Sequence, residues 1–116
     1  MTIETEKLLR FFGMCKKAGK LVAGFDAVCA ALQKGQIVSV FIAQNLSPNT
    51  FSKISQKCDE FHVPFNIIPA NMEEIELFLG RKTGILGVMD EGFAKKFLQM
   101  ISNTPVPTAD VCFPKS

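Results

Sequence analysis

The chain has 116 residues, 47% of them apolar and 21% charged, with a formal net charge of +2 at pH 7. That length suits a single domain with a real hydrophobic core, and that balance excludes a disordered or fibrous chain. The longest apolar runs, such as residues 37–43, fall far short of the ~20 residues of a membrane span, and the opening MTIETEK lacks the apolar stretch of a signal peptide. A cytoplasmic protein with no membrane partner is the expectation.

Leu8, Leu9, Phe11, Phe12 and Cys15 recur at helical spacing, which predicts an amphipathic helix over residues 4–18 with Gly19 as its stop. KLVA (20–23) is a short extended piece. Gly24, Phe25 and Asp26 restart the chain, with Asp26 the expected N-cap of a helix that carries Val28, Ala31 and Leu32 and ends at Gly35. IVSVFIA (37–43) is a β-branched run of the kind that makes a buried strand. Ser47 followed by Pro48 then opens a helix with Phe51, Ile54, Cys58 and Phe61 on one stripe.

VPFNII (63–68) reads as a strand after a proline break. Asn71 and Glu74 have the spacing of a capping box, ahead of a helix bearing Ile75, Phe78 and Leu79. GILGVM (84–89) is the next buried strand. Asp90 caps a last helix with Phe93, Phe97, Met100 and Ile101 inward and Lys95, Lys96 and Gln99 outward. From Asn103 three prolines replace the periodic pattern, so residues 1–102 form the expected domain and 103–116 an expected flexible tail. Helices alternating with strands imply a compact α/β/α sandwich.

Little here supports catalysis. His62 lies four residues after Cys58, half of a metal site at most, and no second pair completes it. Asp59–Glu60 and Glu73–Glu74 are adjacent pairs, which read as solvated surface rather than as an acid–base couple. The phosphate-loop, dinucleotide and nucleophile-elbow motifs are absent. No catalytic residue, metal or cofactor is expected. Cys15, Cys29, Cys58 and Cys112 lack any C-x-x-C spacing and read as reduced, partly buried thiols.

Charge is distributed more sharply than its sum. Residues 7–34 hold six basic residues (Lys7, Arg10, Lys16, Lys17, Lys20, Lys34) against the single acid Asp26, whereas 44–79 hold five acids against two lysines. A solvated lysine-rich helix end would account for this as well as a polyanion-facing side. Within KKAGKLVAGFDAV (16–28), however, a glycine turn feeds a helix N-terminus, where free N–H groups and the helix dipole favour a phosphate. Lys16, Lys17, Lys20 and Lys34 add attraction to a phosphodiester chain. Phe25 could stack on an unpaired base, and Asp26 could accept from a guanine edge or merely cap the helix. GRKTG (80–84) is a second basic loop, and two such loops at one edge of an α/β/α sandwich would clamp one ligand.

KKAGKLVAGFDAVCAALQKGQIVSVFIAQNLSPNT (16–50), KISQKCDEFHVPF (53–65) and GRKTGILGVMDEGFAKKF (80–97) together resemble the kink-turn-binding ribosomal protein superfamily. That superfamily includes the large-subunit proteins seven-Ae and thirty-e, and the likeness is strongest to its bacterial YlxQ/YbxF-type branch, from about Leu8 to Leu98. The resemblance implies a three-layer α/β/α sandwich with a four-stranded mixed sheet and no cofactor or catalysis. It also implies a site for structured, kink-turn-like RNA, ribosomal or messenger, made of the turn into the second helix and the loop before the last strand. Ribosomal proteins as neighbours and a monomeric state are the accompanying expectations.

By position, Gly24 matches the glycine that opens the RNA-binding helix, and Asp26 stands where the family has a guanine-reading Asn. Ala27 replaces an acidic neighbour and Ala30 a lysine. Lys34 falls where a basic residue touches the RNA backbone, and Gln44 where an acidic residue often follows the strand. Arg81, Lys82 and Thr83 occupy the second loop. Asn carries a donor and an acceptor, whereas ionised Asp only accepts, so the base-reading set departs from the family's. A protein-interaction module that keeps the fold without kink-turn recognition is the alternative.

Overall fold

The first apolar stripe does form a helix, α1 (Ile3–Lys17), in a computed structural model that describes residues 3–102. Glu4 and Glu6 lie in its first turn and Lys16 and Lys17 in its last, the distribution that the helix dipole favours. Its end is a Schellman motif: Gly19, at φ 75°, donates to the Lys16 carbonyl and Lys20 to the Cys15 carbonyl. The chain then runs through β1 (Leu21–Ala23), α2 (Phe25–Gln33) and β2 (Ser39–Ala43) to α3 (Pro48–Glu60). β3 (Phe65–Ile68), α4 (Met72–Leu79), β4 (Ile85–Val88) and α5 (Glu91–Ser102) follow.

One expected cap is corrected. Asp26 is not the N-cap of α2: Gly24 is, and Asp26 lies inside the first turn with no capping bond from its side chain. β1 continues to Ala23, so the sharp change of direction falls on the glycine, at φ 103° and ψ 153°. That is a conformation only glycine adopts readily. The other caps are as expected. Ser47 accepts from the Thr50 N–H with Pro48 at the first helical position, and the Asp90 carboxylate accepts from the Phe93 N–H at 3.0 Å. Asn71 and Glu74 form a reciprocal capping box. Asn71→Ala is expected to cost about 1 kcal/mol, read as a lower urea midpoint at unchanged slope.

The sheet order is β1-β4-β2-β3, with β4 antiparallel to both its neighbours and β3 parallel to β2. Side chains alternate across it with period two. Val40, Ile42 and Ile85 point to one face and pack with Val28, Ala31 and Leu32 of α2 and Ile54 and Cys58 of α3. Phe41, Ala43, Leu86 and Val88 point to the other, against α1, α4 and α5. The architecture is therefore the expected three-layer α/β/α sandwich with a four-stranded mixed sheet.

The larger of the two cores is aromatic. Phe97 stacks on Phe12 with ring centroids 3.9 Å apart, and Phe41 and Phe11 meet it edge-on at 5.4 and 4.9 Å. Burial accounts for the thiols too. Cys15 and Cys58 are fully buried and free, and desolvation pushes each up to about 11, so both are neutral thiols at neutral pH. Cys29 is half-buried and free. Cys112 and the tail expected from Asn103 lie outside the described residues.

Candidate nucleic-acid interface

Three strands end and one begins at the same edge of the sheet. Ala23 at the end of β1 pairs with Leu86, the Gly24 N–H donates to the Ile85 carbonyl at 2.9 Å, and Ala43 at the end of β2 donates to the Gly84 carbonyl. Gln44 in turn donates to the Ala70 carbonyl just past β3. The N-terminus of α2, the loop after β2 and the loop before β4 thus converge, as the two-loop expectation required.

The α2 entrance is open for a chemical reason. Gly24 supplies no capping side chain, and the first intrahelical bond runs from Val28 to the Gly24 carbonyl. The N–H groups of Phe25, Asp26 and Ala27 have no partner within the helix, and they sit at the positive end of its dipole. Beside them lies a cation. The Arg81 guanidinium is held so close to Gly24 that a Cβ there would stand 2.6 Å from its Nη2. Backbone donors and a guanidinium fork at one point suit a phosphate or carboxylate oxygen. Asp26, exposed in the same turn, adds a negative charge.

The rest of loop 80–84 is tied down. Lys82 Nζ lies 3.2 Å from Glu73 Oε2, and Asn45 Nδ2 donates to Glu73 Oε1 at 3.2 Å while its Oδ1 accepts from the Met72 N–H. Glu73 is exposed, as its sequence suggested, and there it also meets Lys82 and Asn45. A bond from its own backbone N–H, then those from Lys82 and Asn45, hold its carboxyl below the usual range. Thr83 is buried, and its hydroxyl is used locally, accepting from the Ile85 N–H at 3.3 Å. Neither Asn45 nor Glu73 was a candidate from sequence, because their meeting spans the distance from the β2–α3 loop to α4.

Of the other candidates, Gln44 is exposed at this edge, and Phe25 is half-buried, packed in part on the α2–α3 core. Lys20 is elsewhere. Its carbonyl accepts from the Met89 N–H, at the opposite end of the β1–β4 ladder from Gly24. Lys34 caps the C-terminus of α2, about 15 Å along the axis from Gly24 at ~1.5 Å per residue. Lys16 and Lys17 end α1, with Lys16 Nζ on the Leu79 carbonyl at 2.7 Å, next to loop 80–84. The structure thus gathers Gly24, Phe25, Asp26, Gln44, Arg81, Lys82 and Thr83, whereas Lys16, Lys17 and Lys20 share the turn that ends α1, beside the end of α4, and Lys34 lies at the far end of α2.

Among the described residues no cluster of three or more His, Cys, Asp or Glu could hold a metal, and no helix is long and apolar enough to cross a membrane. His62 stands in a left-handed turn at φ 57° just after Cys58, which is buried in the core.

The chain is similar to several known proteins. The family described as "Ribosomal protein L7Ae/L30e/S12e/Gadd45 family" matches residues 6–98. RNA-binding protein YlxQ of Enterococcus faecium is 31% identical over 97 residues, 83% of this chain and 92% of that protein. RNA-binding protein YlxQ of Bacillus subtilis (strain 168) is 29% identical over 94 residues, 77% of this chain and 89% of that one. Among solved structures, a protein of unknown function from Bacillus halodurans superposes with a TM-score of 0.75 at 27% identity, over 83% of this chain and 97% of that one. The Giardia lamblia 15.5kD RNA binding protein shares the fold at a TM-score of 0.68 and 12% identity, over 88% of each chain.

Proposed function

The chain belongs to the Ribosomal protein L7Ae/L30e/S12e/Gadd45 family, within which it is of the YlxQ type, and from that premise we propose that it binds structured, kink-turn-like RNA. It acts without catalysis, as a monomer in the cytoplasm, in association with ribosomal RNA and its proteins. One observation carries the reading: the Arg81 guanidinium rests on Gly24 at the open N-terminus of α2, which brings two distant segments together as one edge with free N–H donors and a cation. The relatives named RNA-binding proteins support the polymer class.

Chemically, the α2 N–H groups and Arg81 grip backbone phosphate at a kink, where two strands approach. Asp26 accepts from a guanine edge without donating in return. Binding therefore weakens with salt in proportion to the cations engaged.

The test is a titration against two RNAs at two salt concentrations. One carries a kink-turn with tandem G·A pairs, and in the other those pairs are Watson–Crick. Preference for the first is the expected result. Arg81→Gln should lower affinity for it about tenfold, the loss of one charge-assisted contact, whereas Lys34→Gln at the far end should change it far less. Equal affinity for both RNAs would remove kink-turn recognition from the reading. No binding to either would favour the protein-interaction alternative.

A further inference from the structure

Beyond that edge, a groove runs between the C-terminal halves of α1 and α4, lined by Arg10, Gly13, Met14, Lys16, Lys17 and Phe78. At its floor the two helices pack together: a Cβ on Gly13 would stand 3.8 Å from the Phe78 carbonyl. Met14 is 58% exposed although it is a large apolar side chain, and Phe78 is half-buried beneath the Arg10 guanidinium, 5.6 Å from its ring centroid. The lining holds three cations and no carboxylate. Glu6, one turn back on α1, pairs with Arg10 across an exposed contact.

The groove is joined to the edge already described through the end of α4. Lys16 Nζ grips the Leu79 carbonyl, the last of α4, and the next residues in the chain are Gly80 and Arg81. The chain itself thus links the Arg81 guanidinium at the α2 entrance to the end of the groove at Lys16. Cations that follow a phosphate backbone, beside an aromatic ring and a thioether open to solvent, form the pattern that holds single-stranded nucleic acid. Such sites attract backbone charge and offer apolar surface to a base, and they tolerate any base sequence.

We infer that the α1–α4 groove binds a single-stranded extension of the RNA held at the α2 entrance, with backbone phosphate on Lys16 and Lys17 and a base on Met14 and Phe78. The inference rests on the proposed RNA-binding function and enlarges its footprint by a second, sequence-tolerant site. An acidic peptide would satisfy the cations but would leave the aromatic floor without its natural partner, so the nucleic acid is the better match.

The experiment compares the kink-turn RNA with the same RNA carrying a five-nucleotide single-stranded uridine extension at either end. With the unaltered protein, one of the two extended RNAs should bind about tenfold more tightly, with a steeper salt dependence, by roughly 0.7 in the logarithmic slope for each added phosphate contact. Lys17→Gln, at an exposed position, should reduce that advantage and the added slope by more than it reduces affinity for the unextended RNA. Phe78→Leu, which keeps an apolar side chain on the core, should reduce the advantage at unchanged slope.

The unextended RNA is the internal control for folding and for the edge site. If neither extension improves binding while the unextended RNA binds, the groove inference is overturned and the proposed function stands. An advantage that survives both substitutions overturns it too. If no RNA binds, both fall, and an acidic peptide becomes the next probe for the groove.

Discussion

Truncating Phe97 to Ala is expected to cost the fold about 3–5 kcal/mol, the usual range for removing a fully buried aromatic ring from a close-packed core. The ring is 0% exposed, lies flat on Phe12 and meets Phe41 and Phe11 edge-on, so its loss leaves a cavity bounded by other rings that cannot easily collapse. Since a domain of this size has only about 5–15 kcal/mol to lose, the melting temperature should fall by roughly 15 °C or more. Urea denaturation followed by circular dichroism would measure it. A loss under about 1 kcal/mol would mean that the α1–α5 aromatic cluster is not what holds the three helices to that face of the sheet.

Gly24→Ala is the second large effect, and it should reach both stability and binding. At φ 103° and ψ 153° an L-alanine is strained by about 1–3 kcal/mol, whatever the space around it. The space is also occupied, because the new methyl would meet Arg81 Nη2 at 2.6 Å. A guanidinium at the end of a flexible side chain can move aside, so the steric part of the stability cost is small. Its functional cost is not, since the cation leaves the α2 entrance. RNA affinity should fall about tenfold, and Gly24→Ala combined with Arg81→Gln should bind no worse than the weaker single variant. Additive losses would show that Gly24 and Arg81 act separately.

Most of the elements were legible from local pattern alone. The stripes Leu8–Cys15 and Phe51–Phe61, the Ser47–Pro48 and Asn71–Glu74 caps and the apolar runs of β2 and β4 each carry their own signal within a few residues. Asp26 misled because an Asp near a helix start reads as a cap. The deciding fact is backbone geometry at Gly24, where β1 ends one residue before α2 begins. The candidate site was half legible. Convergence of the two glycine-bearing loops followed from the sandwich, but Lys20 and Lys34 are close to Gly24 only along the chain. They are set apart in space by the length of β1 and of α2. The Asn45–Glu73–Lys82 contacts depend on two loops meeting the first turn of α4, which no local window contains.

The position of β4 has a consequence for how the protein is made. β4 lies between β1 and β2 although it comes last of the strands in the chain, so β1 waits for a partner about 60 residues further on. During synthesis β2, α3 and β3 can assemble as a parallel unit as soon as they emerge, while β1 and the Gly24 entrance to α2 stay without support. Pairing of Ala23 with Leu86 then closes the sheet and sets Arg81 on Gly24 in one late step. A nascent chain therefore completes the proposed RNA-binding edge only near the end of folding.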